Sequence, residues 1–283
     1  MKSETVKEFD FTRGDFERVR VLIYQRAGIS LADSKQEMVY SRLARRLRAT
    51  GIASFERYLN ELEGGRLGEE WESFTNALTT NLTSFFREAH HFPLLAEHVR
   101  ARRDEPLTIW CSASSTGEEP YSIAMTVCEA FNTLTPKVEI IATDIDTNVL
   151  AVGERGVYAI DRIDKMAPER ARRFFLRGKG EQEGMVRVRP ELRQLVTFKH
   201  LNLLADKWPL TGPFDVIFCR NVMIYFDKAT QRKILSRFVP LMKPDALLFA
   251  GHSENFLYVS DALKLRGKTV YELDPRRVPR DRQ

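Results

Sequence analysis

Apolar positions along the chain change their period near residue 85. Before it, Phe16, Val19, Leu22 and Ile23 repeat at helical spacing, and Gly28 is placed to end that helix. Asp33 is placed to cap a second helix with Val39, Leu43 and Leu47 on one stripe, which Gly51 stops. Phe55, Tyr58, Leu59 and Leu62 start a third, and after Gly64 and Gly65 a fourth carries Trp71, Phe74 and Leu78. Helices without strand signals predict a small all-α domain over residues 1–84. Beyond it, short apolar runs alternate with amphipathic stretches. Leu107–Cys111, Val138–Thr143, Phe214–Cys219, Leu247–Ala250 and Thr269–Leu273 read as strands, and residues 123–131 and Ala229–Leu241 as helices. That rhythm predicts an α/β domain of the nucleotide-binding kind over residues 85–283. It breaks at about residues 160–200, where Ala167–Phe175 reads as a basic helix, residues 176–184 are turn-rich, Met185–Val188 reads as an edge strand and Val196–Leu201 alternates again. Together these predict an inserted antiparallel β-subdomain. The basic, proline-containing tail Arg276–Gln283 is expected to be disordered.

The turn after the first predicted strand carries the first chemical signal. From Ser112 to Gly117 no side chain exceeds threonine in size, and Glu118, Glu119 and Pro120 then open a helix. Small residues let a ligand lie against bare backbone, but two glutamates at a helix N-terminus would repel a pyrophosphate, and no Gly-Lys-Ser/Thr follows for a phosphate loop. A cationic ligand with a ribose suits the turn better, and S-adenosylmethionine carries both a sulfonium and an α-ammonium. The same glutamates equally complement a helix dipole. At the tip of the second strand Asp144 is placed to bind ribose hydroxyls or to serve a turn, while Asp146 reads as the N-cap of the next helix. Arg220 and Asn221 follow the Phe214–Cys219 strand, on the edge where open α/β sheets bind ligands; capping is the plain alternative. Asn81, Thr83 and Arg87 are polar groups without an obvious local partner at the junction of the two predicted domains.

Composition narrows the classes. A chain of 283 residues with 43% hydrophobic and 29% charged residues fits an ordinary globular protein of two domains. No apolar run reaches membrane-span length, and the N-terminus lacks a signal-peptide core, so a cytoplasmic protein is expected. Cys111, Cys128 and Cys219 sit in apolar surroundings and read as reduced core residues. The five histidines have no zinc spacing, so no metal is expected. Net charge is a mild +5, but Asp33–Arg48 holds five basic side chains against two acidic ones. Arg42, Arg45 and Arg46 are therefore a candidate docking surface, with a solvated face as the plain alternative.

Five co-linear motifs, Asn81–His91 (NLTSFFREAHH), Ser114–Ser122 (SSTGEEPYS), Ala142–Asp146 (ATDID), Phe214–Phe226 (FDVIFCRNVMIYF) and Leu248–Asn255 (LFAGHSEN), make the chain resemble the chemotaxis receptor methyltransferases, the CheR family. The resemblance extends to the N-terminal QRAGI and RLARRLRA segments. It implies a helical N-terminal receptor-docking domain, a Rossmann-like methyltransferase domain and a small β-subdomain inserted in it. It further implies transfer of a methyl group from S-adenosylmethionine to glutamates of membrane chemoreceptors, leaving S-adenosylhomocysteine. By this resemblance Asn81, Thr83, Arg87, Glu118, Asp144, Asn202, Leu203, Arg220 and Asn221 line the cofactor site, and Tyr225 stands beside the reacting centre.

A carboxylate attacking a sulfonium-bound methyl needs no general base. Arg87 and Tyr225 are thus expected to hold the incoming carboxylate, unless Arg220 takes Arg87's part. Partners are expected to be the cytoplasmic domain of chemoreceptors and, through the β-subdomain, their C-terminal tail peptide, with no nucleic acid, no direct membrane insertion and a monomeric enzyme. Three rivals stay open. A dinucleotide oxidoreductase would bind NAD, although the glutamate pair speaks against it. An RNA methyltransferase would fit the basic helix but lacks an Asn/Asp-Pro-Pro-Tyr/Phe motif. A scaffold would bind the cofactor without turnover.

Overall fold

The computed structural model of the protein describes residues 7–277, so the expected disorder of the tail falls outside them from Val278 on. There are two compact units. One runs to Thr80 and takes in Tyr225–Asp227; the other comprises Asn81–Ile224 and the chain from Lys228.

The first unit is built on four helices, α1 (Arg13–Ala27), α2 (Gln36–Thr50), α3 (Phe55–Glu63) and α4 (Glu70–Leu78). The Thr12 side chain accepts from Asp15 N–H while the Asp15 carboxylate accepts from Thr12 N–H, a capping box that starts α1. Gly28 and Gly51 close α1 and α2 in the left-handed region, at φ 69° and 68°. The apolar stripes read from the sequence form one core: Phe16, Val19, Ile23, Val39, Leu43, Leu47, Phe55, Leu59 and Phe74 are all buried. Asp33 does not cap α2. It opens a 3-10 turn, and its carboxylate meets Arg13 and Arg20 at 3.0 Å each. Two guanidinium partners have drawn the side chain away from the backbone N–H groups.

The second unit runs α5 (His91–Arg100), β1 (Leu107–Cys111), α6 (Glu118–Phe131), β2 (Val138–Asp144), α7 (Thr147–Arg155), β3 (Val157–Ala159), α8 (Pro168–Phe174), β4 (Phe175–Arg177), β5 (Met185–Val188), α9 (Pro190–Arg193), β6 (Val196–His200), β7 (Phe214–Cys219), α10 (Lys228–Phe238), β8 (Met242–Ala250), β9 (Leu263–Gly267) and β10 (Val270–Leu273). Seven strands form the main sheet in the order β6-β2-β1-β7-β8-β10-β9. The first five are parallel and β10 and β9 antiparallel. On one face α5 and α6 pack over Ile109, Ile140, Val216 and Phe218; on the other Trp110 meets Phe238 of α10 edge-on at 4.9 Å. Because the five strands are parallel they all end on one edge, at Cys111, Asp144, His200, Cys219 and Ala250.

A separate three-stranded antiparallel sheet has the order β3-β5-β4. Here two sequence readings need correction. Met185–Val188 is the central strand, paired with β3 on one side and β4 on the other, so it offers no open edge. Val157–Ala159, at three residues, was too short to signal the strand that covers it. Val196–His200 does not belong to the insert: it pairs parallel with β2, Ile140 opposite Val196 and Asp144 opposite His200, as an outer strand of the main sheet. Alternation of period two is the same for a hairpin arm and a half-exposed edge strand, so the pattern alone could not separate them. The insert is not a detached lobe, since its Phe174, Phe175, Val186 and Val188 join the core over α6.

Candidate active site

At the edge where the parallel strands end, the first loop makes a sharp turn. Ser115 sits at φ 47° and Gly117 at φ 97°. A Cβ on Gly117 would lie 2.8 Å from Tyr158 Oη and 2.9 Å from Gly153 Cα. The close approach that makes glycine necessary is thus the protein's own: β3 and α7 pack on the turn, and Tyr158 Oη donates to Thr116 carbonyl at 2.8 Å. Asp144 faces this turn from the tip of β2. Its Oδ2 accepts from Ser115 N–H at 2.8 Å and its Oδ1 from Asp146 N–H at 3.0 Å. Burial raises its pKa to about 6, against the pull of those N–H groups. Ile145 N–H adds a third backbone donor, which leaves the carboxylate acceptor capacity for a further hydroxyl. Asp146 caps α7, accepting from Asn148 and Val149 N–H, and Asn81 Nδ2 donates to its other oxygen at 2.7 Å.

The two glutamates that open α6 have different partners. Glu119 is held by Arg220, whose Nη1 stands 2.8 Å from its Oε2 as a charge contact rather than an aligned hydrogen bond. Burial pushes the Glu119 carboxyl up even so. Arg220 also stands 3.3 Å from Glu88 Oε2 and donates to Arg87 carbonyl. Its side chain is 1% exposed, so a guanidinium between two carboxylates is the buried centre of this edge. Glu118 instead accepts from Thr116 Oγ1 at 2.6 Å and from Arg162, which also donates to Thr83 carbonyl at 3.0 Å.

The turn after β7 is shaped by a residue to which the sequence reading gave no role. Glu254 accepts from the N–H groups of Asn221, Val222, Met223 and Gly251, at 2.5–2.9 Å. This fixes Asn221 at φ 57°, with its Nδ2 on Glu88 Oε1 at 3.1 Å. Glu88 and Arg162 were likewise left without a role by sequence reasoning, and Glu119 was read only as one of the acidic pair that opens α6. Glu88 and Glu254 lay inside quoted motifs and Glu119 beside Glu118, but what each touches is set by chain far away.

Of the residues expected at the cofactor, Asn81 and Asp144 share a cluster with Ser115 and Asp146, Thr83 and Glu118 are linked through Arg162, and Arg87, Arg220 and Asn221 are linked around Glu88. Arg87 is partly buried, with Nη1 on Leu82 carbonyl at 2.8 Å. Asn202 and Leu203 follow β6 on the same edge; Asn202 Oδ1 accepts from Leu204 N–H, and Leu201 N–H donates to Asp144 carbonyl. Tyr225 packs with the helical unit, its carbonyl accepting from Ser30 N–H at 2.9 Å. In that unit Arg46 makes a two-pronged pair with Glu70 at 2.8 and 2.7 Å, Arg42 donates to Ala77 and Thr79 carbonyls at the end of α4, and Arg45 is exposed.

The donor set suits a ligand that presents hydroxyls to Asp144 and a cation to the acidic end of α6, and it opposes a pyrophosphate there. Among the described residues one group could hold a metal by distance, Glu88, His90 and His91, whose donor atoms lie within 4.8 Å of one another. Arg220 beside Glu88 opposes a further cation, and burial with Arg220's charge lowers His91's pKa to about 4. Its neutral ring has Nε2 3.0 Å from Lys268 carbonyl.

Comparison with known proteins matches both parts of the chain to one family. Residues 14–79 match the all-alpha domain of the CheR methyltransferases, and residues 81–271 match their SAM binding domain. The chain is 56% identical over 258 residues to a chemotaxis protein methyltransferase of Escherichia coli (strain K12), covering 91% of this chain and 90% of that protein. It is 53% identical over 267 residues to chemotaxis protein methyltransferase 2 of Pseudomonas aeruginosa, covering 94% and 95%.

Proposed function

The chain belongs to the CheR methyltransferase family, and from that premise we propose that it transfers a methyl group from S-adenosylmethionine to glutamate side chains of membrane chemoreceptors, forming methyl esters. That it is an S-adenosylmethionine-dependent methyltransferase of the chemotaxis type follows from the family itself. The observation that carries the finer reading is the edge of the main sheet, where Asp144 and Glu118 converge on the Gly117 turn while Arg220 is neutralised by Glu119 and Glu88.

When bound, the cofactor supplies a methyl group already activated on a sulfonium and leaves as the neutral thioether. The chain's part is to bind, orient and exclude water. Asp144 accepts the ribose hydroxyls and Glu118 pairs with the α-ammonium. Asn81, Thr83, Asn202, Leu203, Arg220 and Asn221 complete the lining. Arg220 is already occupied by two carboxylates, which favours Arg87 as the cation that meets the substrate carboxylate. Arg87's bond to Leu82 carbonyl uses one of its five N–H groups. Tyr225 orients the second carboxylate oxygen. The attacking oxygen is an anion at neutral pH, so no proton has to be moved. No metal is assigned a role.

The enzyme acts as a monomer, in the cytoplasm, on the receptor's cytoplasmic domain; no described helix is long and apolar enough to cross a membrane. The receptor's tail peptide is proposed to add as a strand to β4, an outer strand of the small sheet, with half-exposed Leu176 at hand. Gly178→Val should abolish that binding, because a Cβ there would lie 1.9 Å from Gln182 carbonyl oxygen.

The deciding experiment incubates the protein with methyl-labelled cofactor and receptor-containing membranes. Base-labile label in the receptor is expected, with a turnover about tenfold lower in Tyr225→Phe at unchanged cofactor affinity, the size of one lost orienting hydrogen bond. Base-stable label, or none, sinks the glutamate ester.

A further inference from the structure

Glu118, to which the proposed function gives the cofactor's ammonium, already has a cation of the chain's own. Arg162 lies in the 3-10 turn Ile160–Ile163 that enters the insert. Its Nη2 donates to Glu118 Oε1 and, at 3.0 Å, to Thr83 carbonyl. Thr116 Oγ1 takes the other Glu118 oxygen at 2.6 Å. The pair is lopsided: the Glu118 side chain is 1% exposed and that of Arg162 40%. Arg220 next door is 1% exposed and fixed by Glu119 and Glu88. One arginine of this edge is therefore locked, while the other reaches in from the surface on a flexible stem, with water and Thr83 carbonyl as alternative partners.

We infer that Arg162 competes with the cofactor's α-ammonium for Glu118, so that the insert sets how tightly the amino-acid end of cofactor and product is held. This rests on the assignment of Glu118 made above. Two cations cannot share one buried carboxylate without repulsion, so entry of the ammonium turns Arg162 outward. The product keeps the same ammonium, and the return of Arg162 favours its release. The consequence is specific to ligands that carry the ammonium. A nucleoside lacking the amino-acid end does not meet Arg162.

Calorimetric titration of the full chain with S-adenosylhomocysteine and with 5′-methylthioadenosine, which has the nucleoside and thioether but no amino-acid end, tests this. Arg162→Met should bind S-adenosylhomocysteine about three- to tenfold more tightly, the size of one partly exposed ion pair, and methylthioadenosine as wild type does. Arg162→Gln, which keeps a donor for Thr83 carbonyl, should behave alike and guards against misfolding of the first variant. Both should show stronger product inhibition than wild type. Because Glu118 is left without its cation, S-adenosylhomocysteine should also raise the melting temperature of both variants more than that of wild type. Both ligands bound by the wild type, with S-adenosylhomocysteine bound no more tightly or more weakly by the variants, overturns the competition alone. A wild-type chain that binds neither ligand overturns the cofactor assignment, and this inference with it.

Discussion

Helix α2 and the edge of the main sheet both gather arginines, and they use them in different ways. On α2 two of the arginines, Arg42 and Arg46, are fastened into the helical unit. Arg46 grips Glu70, which Tyr58 also meets at 2.8 Å, and Arg42 ties down the last carbonyls of α4. At the sheet edge Arg220 is the buried centre of a carboxylate cluster, and Arg162 spans two residues assigned to the cofactor. A count of charges cannot tell these cases apart. What separates them is whether a carboxylate or an orphan carbonyl lies within reach, and that is a property of the fold.

The largest effect belongs to the buried cluster. Arg220→Met would leave Glu119 and Glu88 facing each other without their shared cation. The loss expected is about 3–5 kcal/mol of unfolding free energy, together with weakened cofactor binding. Denaturant unfolding that moved by less than 1 kcal/mol would mean that the carboxylates take up protons at no cost and that Arg220 is not the centre of the edge.

Asp144→Ala comes next. Losing hydrogen bonds to a charged acceptor should cost about 1.5–3 kcal/mol, a tenfold to hundredfold drop in cofactor affinity. The wild type adds a pH signature. Burial holds the Asp144 carboxyl at about 6, above its ordinary 3.8. Ribose hydroxyls donate to the ionised form and so lower that value in the complex. Binding then releases protons near pH 6 and weakens as pH falls through it. Calorimetry in buffers of different ionisation enthalpy checks this; affinity that stays flat from pH 5 to 8 removes Asp144 from the ribose.

Arg46→Met should cost about 2 kcal/mol, less than Arg220→Met because the Arg46 side chain is 28% exposed against 1% for Arg220. The loss should appear in melting temperature and leave cofactor affinity alone. Equal losses for Arg46→Met and Arg220→Met would erase the distinction between the two clusters.

How much of this was legible in the sequence follows the same division. The helical stripes, the buried strands and Asp144 are local patterns: a stripe has its period, and an acidic residue at a strand tip announces itself. Asp146 was readable as a cap because a cap's partner lies two or three residues away. By contrast, Glu88, Glu119, Glu254 and Arg162 take their roles from partners far along the chain, Glu254 from Asn221 and Arg162 from Glu118. Strand β3 at three residues and the helix α5 carried too little pattern to be noticed. The register of β6 hung on a period shared by a hairpin and an edge strand. The family resemblance supplied Asn202, Leu203 and Tyr225, which no local physics singles out.

The smallest effect is reserved for Arg45, the member of the α2 triad that is exposed. Because Arg42 and Arg46 are engaged within the helical unit, replacing all three would mix lost docking with lost stability. Arg45→Glu isolates docking. If α2 meets an acidic face of the receptor's helical methylation region, as proposed from its charge, reversing this one side chain should raise the apparent KM for receptor about two- to fivefold. It should also flatten the dependence of KM on salt, because screened charges at a rim act mainly on encounter. Unfolding should shift by less than about 0.5 kcal/mol, as for surface substitutions generally, and cofactor affinity should be untouched. A KM equal to wild type across the whole salt series would leave α2 a solvated face, its arginines serving the helical unit alone.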